Sequence, residues 1–451
     1  MTDEEEPRAS FRADAQDTAR VYQAARDLHI TYLPDSGAPG PAARLSLLHL
    51  LACCADAPFP VSVLSPEAVA AVRMPELPEE RVTAELRALP HVPGEVPCVR
   101  AGPEALAAAA RELTDDRRTR LSAYAAALLD HALLRTTDGP VPDLLAPHVM
   151  TLLWRSAEDP VRAAARRVRD GYESRGRYAD ALPFAVRIAE PATGAAIADG
   201  LALGRIRIGC GDFGEAAAVL RPVLARAERE AEGCKVPLTG RTGPSLAQLL
   251  RDDPAGPFTA GLSSADCQAL ADVADVQHAL AEALYGLHRY AECERLLFSA
   301  GGLRWRVLGA LHPAYLLAQL HRGRALGRQR LWHEAIGLVQ DVRSYQDRAD
   351  CGPARPRDDA LLRLAHAQVM TAAVRSLREE GAGRSRRVGV FPAPVVRFLD
   401  RTVGTNPRPE KVTADEALAL AQEAVRACEG AFGPGHPHTR AARELLEGPR
   451  P

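Results

Sequence analysis

Apolar residues recur at helical spacing over most of the 451-residue chain, and one short stretch near its start breaks that pattern. In residues 19–33, "ARVYQAARDLHITYL", the apolar residues Leu28, Ile30 and Tyr32 alternate with polar ones. Strict alternation is typical of half-buried strands. The pattern predicts two short extended segments, which lie between a polar, disordered tail at residues 1–18 and the breaker "PDSGAPGP".

From about residue 145 the predicted helices come in pairs, and the two helices of a pair are joined at a similar sequence each time. The four junctions read "GRYADAL", "GDFGEAA", "HRYAEC" and "RLWHEA". When they are aligned on the aromatic residue, a small residue follows three positions later, and in three of them a small residue also stands nine positions earlier. The aromatic residues are Tyr178, Phe213, Tyr290 and Trp332, the later small residues are Ala181, Ala216, Cys293 and Ala335, and the earlier ones are Gly204, Ala281 and Gly323. Because small residues let helices approach closely, we expect stacked helical repeats with the aromatic ring largely buried at each junction.

This arrangement resembles the tetratricopeptide repeat, and its later units are similar to the longer bacterial form related to kinesin light chain. In that form the loop after the second helix reads roughly G-x-x-H-P-x-T. Here "FGPGHPHTR" matches it, and "LGALHPAYL" matches it with Tyr315 in place of Thr. The resemblance covers residues 160–230, 270–345 and 413–447, and it implies a right-handed superhelix of antiparallel helix pairs over residues 145–451.

A second resemblance lies in residues 41–140. Two helices, in "AARLSLLHLLACC" and "EERVTAELRAL", and a Pro/Gly hairpin around "VPGEVPCVR" resemble the winged-helix module of STAND-type NTPases. The segment "VYQAARDLHI" is similar to the leader of actinobacterial proteins of that kind, with Ala25 in place of Gly. We therefore expect a mainly α protein with a tail and strand-forming leader at 1–40, a small winged-helix-like α+β domain at 41–140 and a TPR-like domain at 145–451.

The sequence offers no catalytic machinery. A phosphate-binding loop ends in Gly-Lys-Ser/Thr, and neither of the two lysines, Lys235 and Lys411, follows a glycine, so we expect the NTPase domain to be absent. The segment "HEAIG" has Gly337 where a zinc-protease helix has its second histidine, and His436 with His438 alone makes a poor metal site. We expect a protein that is not an enzyme and that needs no cofactor or metal.

Composition narrows the class of partner. The net charge of −2 gives no basic excess for binding phosphates, and the second helix of the winged-helix-like region carries Glu79, Glu80 and Glu85, so nucleic acid is disfavoured. The nine cysteines are scattered without CxxC spacing, which suits a reducing compartment. No apolar run reaches the roughly 18 residues of a membrane span. These features predict a cytoplasmic protein.

The TPR resemblance implies that the first helix of each pair lines a concave groove. Residues one position after the small residue, and three before it, share one helix face and should point into that groove. This register nominates Arg205, His278, Glu282 and Arg324, together with Arg166 and Asp170 from the less regular first repeat. Arginine suits a ligand that carries carboxylates. The alternative is that these residues are solvated charges on a structural groove.

Taken together, these features predict a regulatory or scaffold protein that binds a protein or peptide partner through its repeat groove. The alternative is a transcriptional regulator that uses the winged-helix-like region to bind DNA and the repeats as an effector domain. The extended segments at 19–33 either pack on their own domain or pair with another chain, which would give self-association. The basic cluster "GRSRRVGV" at 383–390 is either an inter-helix loop or a contact for an acidic partner.

Overall fold

The structure, a computed structural model, describes residues 46–72, 77–136, 139–156, 158–190, 196–232, 262–348, 355–384 and 413–447. The chain divides into two compact units, one formed by residues 1–173 and 177–195 and the other by 174–176 and 196–451. The first unit thus includes helices that the sequence analysis assigned to the repeat domain. The alternating stretch at 19–33, the Gly/Pro-rich insert at 240–261 and most of the basic cluster at 383–390 lie outside the described residues.

The first unit combines helices with a small antiparallel sheet, and the mainly helical fold is confirmed. Its three strands are β1 (Phe59–Pro60), β2 (His91–Val92) and β3 (Cys98–Val99), with β3 in the middle. Val99 pairs with both Phe59 and His91, so the predicted hairpin around "VPGEVPCVR" forms. The helices are α1 (Leu47–Ala52), α2 (Pro66–Val72), α3 (Glu79–Ala88), α4 (Pro103–Glu112), α5 (Asp115–Arg135), α6 (Val141–Arg155), α7 (Asp159–Ser174) and α8 (Tyr178–Ile188), with a 3-10 helix at Val61–Leu64.

Polar side chains join these elements. Glu85 on α3 accepts a hydrogen bond from the backbone N–H of Leu47 at 2.6 Å, at the start of α1, and another from Arg81 at 2.8 Å. The His148 ring on α6 is fully buried beside Phe59, and its Nε2 lies 3.1 Å from the Pro58 carbonyl oxygen. Burial lowers the pKa of His148, so the ring is neutral at pH 7 and donates from Nε2 to that carbonyl.

The second unit is built from helices that pack in sequence order. They are α9 (Ile197–Cys210), α10 (Phe213–Ala231), α11 (Ser264–Gly286), α12 (Tyr290–Leu308), α13 (Pro313–Arg328), α14 (Trp332–Arg348), α15 (Pro356–Arg384), α16 (Ala414–Phe432) and α17 (Pro437–Glu447). Helix α9 packs on α10, α11 on α12, α13 on α14 and α15 on α16, and α17 packs on both α15 and α16.

The four aromatic junctions share one backbone geometry. Each time, the second helix begins at the aromatic residue, and the residue two positions earlier has a positive φ. That residue is glycine in two junctions and His288 or Arg330 in the others, with φ of 61° and 64°. A left-handed residue ends the first helix of each pair, which turns the chain sharply into the second. All four junctions thus have the same backbone conformation at equivalent positions.

Small residues permit the close packing that the sequence analysis anticipated. The later small residues of the four junctions are at most 1% exposed. A Cβ on Gly204 would lie 2.4 Å from the side chain of Leu220, and one on Gly327 would lie 2.6 Å from the Trp332 ring. The Phe213 and Trp332 side chains are partly buried. A Cβ on Gly286 would lie 2.4 Å from the Phe213 ring, and Trp332 packs against the apolar core of the later helices.

The two His-Pro loops are also equivalent in structure. His312 caps α13 by accepting a hydrogen bond from the N–H of Ala314 at 3.2 Å, and His436 accepts one from the N–H of His438 at 3.2 Å. In both loops a glycine with positive φ stands three residues before the histidine. His436 is buried and stacks on Phe432, so it has a structural role, as the sequence analysis expected.

Candidate functional site

The second unit contains four of the six nominated residues. Arg205 lies on α9, His278 and Glu282 lie on α11, and Arg324 lies on α13. Arg166 and Asp170 lie on α7 of the first unit. There Asp170 accepts a hydrogen bond from its buried neighbour Arg169 at 2.9 Å, and Arg166 is half-buried and has partners of its own.

Around His278 the second unit holds a buried polar network that includes residues the sequence analysis missed. Arg304 on α12 is 5% exposed and donates to the Ala314 carbonyl at 2.9 Å and to Asp275 at 2.7 Å. It also contacts Nδ1 of His278. Arg205 lies 3.8 Å from the same Asp275 carboxylate. Asp275 and His278 are three residues apart on one helix, so their common face was visible in the sequence, but the partner from α12 was not.

Three side chains of this network converge on one point. Nε2 of His278 lies 2.9 Å from Nδ1 of His321, which in turn lies 3.2 Å from Oε1 of Glu282. The third distance, from His278 Nε2 to Glu282 Oε1, is 3.8 Å. The side chains of the two histidines are 7% and 12% exposed and that of Glu282 is 37% exposed, so the cluster lies beneath the surface with the carboxylate at its outer edge.

The surroundings set the charges of this triad. Burial, followed by the nearby Arg304 charge, holds the pKa of His278 well below its usual value, and burial also lowers the pKa of His321. Burial alone would raise the pKa of Glu282, but the hydrogen bond with His321 and the positive charge of Arg324 oppose it, and the net effect lowers that pKa. At neutral pH the triad therefore consists of two neutral imidazoles and one carboxylate.

A cavity of about 230 Å³ lies between α11, α13, α14, α15 and α17. Arg324, Arg328 and Arg375 line it, and its lining contains no carboxylate. The guanidinium of Arg324 lies 4.7 Å from the centre of the Tyr285 ring, and Arg328 donates to the Tyr285 hydroxyl at 3.1 Å. Tyr285 thus holds two of the three arginines in place.

Two further polar groups of the cavity have no partner among the described residues. Nε1 of Trp332 and Oγ1 of Thr371 are buried and make no hydrogen bond there. An indole N–H can only donate, and a hydroxyl can do so. Both atoms are shielded from solvent. Among the arginines that line the cavity, the sequence analysis had named only Arg324.

Comparison with known proteins does not assign this chain to a family. The chain matches no protein-family profile and no curated protein sequence. None of the described helices combines the length and hydropathy that a bilayer crossing requires.

Proposed function

We propose that this chain is a non-enzymatic regulatory or scaffold protein of the tetratricopeptide-repeat type, which binds an acidic segment of a protein or peptide partner. The observation that carries the proposal is the cavity in which Arg324, Arg328 and Arg375 meet without a carboxylate in the lining. An acidic side chain of the partner supplies the missing counter-charge.

The physical reason is electrostatic. Like charges that share a partly buried cavity repel one another, and water solvates them less well there than at an open surface. A bound carboxylate relieves that repulsion, and the planar guanidinium can hold it through two parallel hydrogen bonds. Because Tyr285 already positions Arg324 and Arg328, little side-chain freedom is lost on binding.

The repeat assignment is supported by local geometry. Four junctions place an aromatic residue at the start of a second helix, and two His-Pro loops cap the following helix in the same way. Seven free cysteines among the described residues, five of them buried, suit the cytoplasmic location that we propose with it.

The alternative is a transcriptional regulator that binds DNA through residues 41–140. Arg81, one of the two arginines on α3, is held by Glu85 at 2.8 Å, and Glu85 also caps α1. A gel-shift titration of the full chain on mixed-sequence duplex DNA tests this alternative. Salt-sensitive binding below micromolar protein would favour it over the peptide-binding proposal.

Charge reversal within the cavity tests the proposal. The full chain is titrated into labelled peptides rich in Asp and Glu, and into the same peptides with Asn and Gln instead, with fluorescence anisotropy as the readout. The variant R324E/R375E should lose binding by about tenfold or more, since two charge-assisted contacts become repulsive. The matched control R221E/R229E reverses two exposed arginines on α10 and should bind as the wild type does. Equal loss in both variants would show that only net charge matters, and equal binding of acidic and amide peptides would refute the proposal.

A further inference from the structure

We propose that His278, Glu282 and His321 form a binding site for a divalent transition-metal ion of the zinc class. This inference goes beyond the proposed function, because it concerns the triad on α11 and α13 rather than the arginine cavity. The sequence analysis expected no metal and did not name His321.

The ligand atoms have the spacing that such an ion requires. Zinc binds imidazole nitrogen and carboxylate oxygen at about 2.0–2.2 Å, so neighbouring ligands of a tetrahedral ion lie about 3.3 Å apart. The three distances in the triad are 2.9, 3.2 and 3.8 Å. Two ligands stand one helical turn apart on α11 and the third comes from α13, so regular helices hold the set without a rearrangement of the backbone.

Without a cation, each placement of the protons in the triad leaves two donors or two acceptors facing each other. Arg304 can only donate, so Nδ1 of His278 accepts from it and the ring proton sits on Nε2, within the triad. That proton can satisfy His321 at 2.9 Å, but Nδ1 of His321 then faces the Glu282 carboxylate, 3.2 Å away, as a second acceptor. If His321 instead carries its proton on Nδ1, two N–H groups face each other. A metal ion bound by Nε2 of His278, Nδ1 of His321 and the Glu282 carboxylate receives three lone pairs once the His278 proton has shifted to Nδ1, and the conflict within the triad is removed.

Some charged side chains near the triad favour binding of the ion, and others oppose it. Asp275 adds a second negative charge nearby, whereas Arg205 and Arg324 act electrostatically against the ion. His438 on α17 is close enough for its pKa to be affected by Glu282 and His321, and it stands outside the triad.

Arg304 is the main competitor of the metal. When Nε2 binds the ion, the His278 proton moves to Nδ1, where it meets the Arg304 guanidinium. Metal-bound histidines usually donate that proton to an oxygen. The substitution Arg304→Gln provides an amide oxygen at this place, so we expect it to tighten metal binding while removal of a ligand weakens it.

The test uses the full chain, freed of metal with a chelator, and titrates Co²⁺ and then Zn²⁺. Absorption spectroscopy follows cobalt, because ligand-field bands report low coordination number and a thiolate charge-transfer band would reveal the cysteines. Calorimetry gives the stoichiometry for zinc. We expect one ion per chain without a thiolate band, at least tenfold weaker binding in Glu282→Gln and His321→Gln, and tighter binding in Arg304→Gln.

The matched control is His288→Asn, which removes an exposed histidine of the same unit and should leave metal binding unchanged. Should a ligand variant fail to fold, the wild-type cobalt spectrum and the Arg304→Gln titration still decide the matter. The proposal is overturned if neither wild type nor Arg304→Gln binds one ion, if binding survives both ligand substitutions, or if the cobalt spectrum shows thiolate ligation.

Discussion

Two groups of arginines in the second unit differ in what surrounds them. Arg304 is 5% exposed and its guanidinium contacts Asp275, the Ala314 carbonyl and His278. Arg324 and Arg375 are half-buried, and the cavity that they share offers them no carboxylate. The first arginine completes a structural network, whereas the others line a cavity that contains no carboxylate. The contrast separates residues that hold the helices together from residues available to a ligand.

The largest expected effect distinguishes the two groups by stability. The substitution Arg304→Ala removes the hydrogen bonds that Arg304 donates to Asp275 and to the Ala314 carbonyl. Because of this loss, it should lower the free energy of unfolding by about 3 kcal/mol. Arg324→Ala breaks a stacking contact with Tyr285 and should cost less than about 1 kcal/mol. Urea unfolding of both variants provides the measurement. Equal losses would mean that the cavity arginines are structural too.

A carboxylate that has no arginine partner among the described residues sharpens the same contrast. Burial, opposed by a hydrogen bond from Gln268 and aided by the charges of Asp275 and Glu230, raises the pKa of Asp272 to about 6. The folded protein therefore binds more protons than the unfolded chain between about pH 4 and 6, so this residue's contribution to stability is greatest below pH 4 and is lost as the pH rises through 6.

The substitution Asp272→Asn removes that titration. It should stabilise the protein at pH 7 by about 1–2 kcal/mol and have little effect below pH 4. Melting temperatures of variant and wild type at pH 4 to 7.5 check this dependence. A stabilisation that is the same at every pH would contradict the assigned cause.

Trp332 lines the cavity, and its substitution separates a role in ligand binding from a role in the core. Its Nε1 has no partner among the described residues, so Trp332→Phe removes no hydrogen bond and should cost about 1 kcal/mol through lost ring volume alone. The free energy of binding to acidic peptides should fall by more than the free energy of unfolding does. An unfolding free energy lowered by several kcal/mol, with peptide binding intact, would assign the indole to the core.

Arg375 has the smallest expected effect on stability. It lines the cavity and has no ion pair among the described residues, so Arg375→Ala should change the free energy of unfolding by no more than about 0.5 kcal/mol. Chemical denaturation is the check, and Arg221→Ala, an exposed arginine on α10, is the matched control. A clear loss specific to Arg375 would reveal a structural partner.

The fold was predictable where it depends on neighbours in sequence. An aromatic residue, a left-handed residue two positions before it and a small residue three after it mark each helix junction, and all lie within one short segment. The equivalence of the His-Pro loops at His312 and His436 is local in the same sense. The division of the chain at residues 195 and 196 depends on contacts between distant helices, and the sequence analysis placed that boundary earlier.

The candidate site was predictable only along single helices. The register of α11 and α13 placed His278, Glu282 and Arg324 among the candidates, but a helix face does not reveal that His278 is buried. Arg304 and Thr371 were missed because they meet the site through tertiary packing from α12 and α15. His321 could have been found, since it stands three residues before Arg324 on the same face.

The most direct test of the account observes the indole of Trp332 while a ligand binds. The chain has three tryptophans, so the ¹⁵N-labelled protein has three indole N–H resonances, and Trp332→Phe assigns the one in the cavity. On titration with an Asp/Glu-rich peptide the Trp332 resonance should shift, whereas that of Trp154, which is 64% exposed in the first unit, should not. The Asn/Gln peptide should leave both unchanged. A Trp332 resonance that does not respond to an acidic peptide that binds the chain, or that responds equally to the amide peptide, would contradict the claim that the arginine cavity recognises carboxylates.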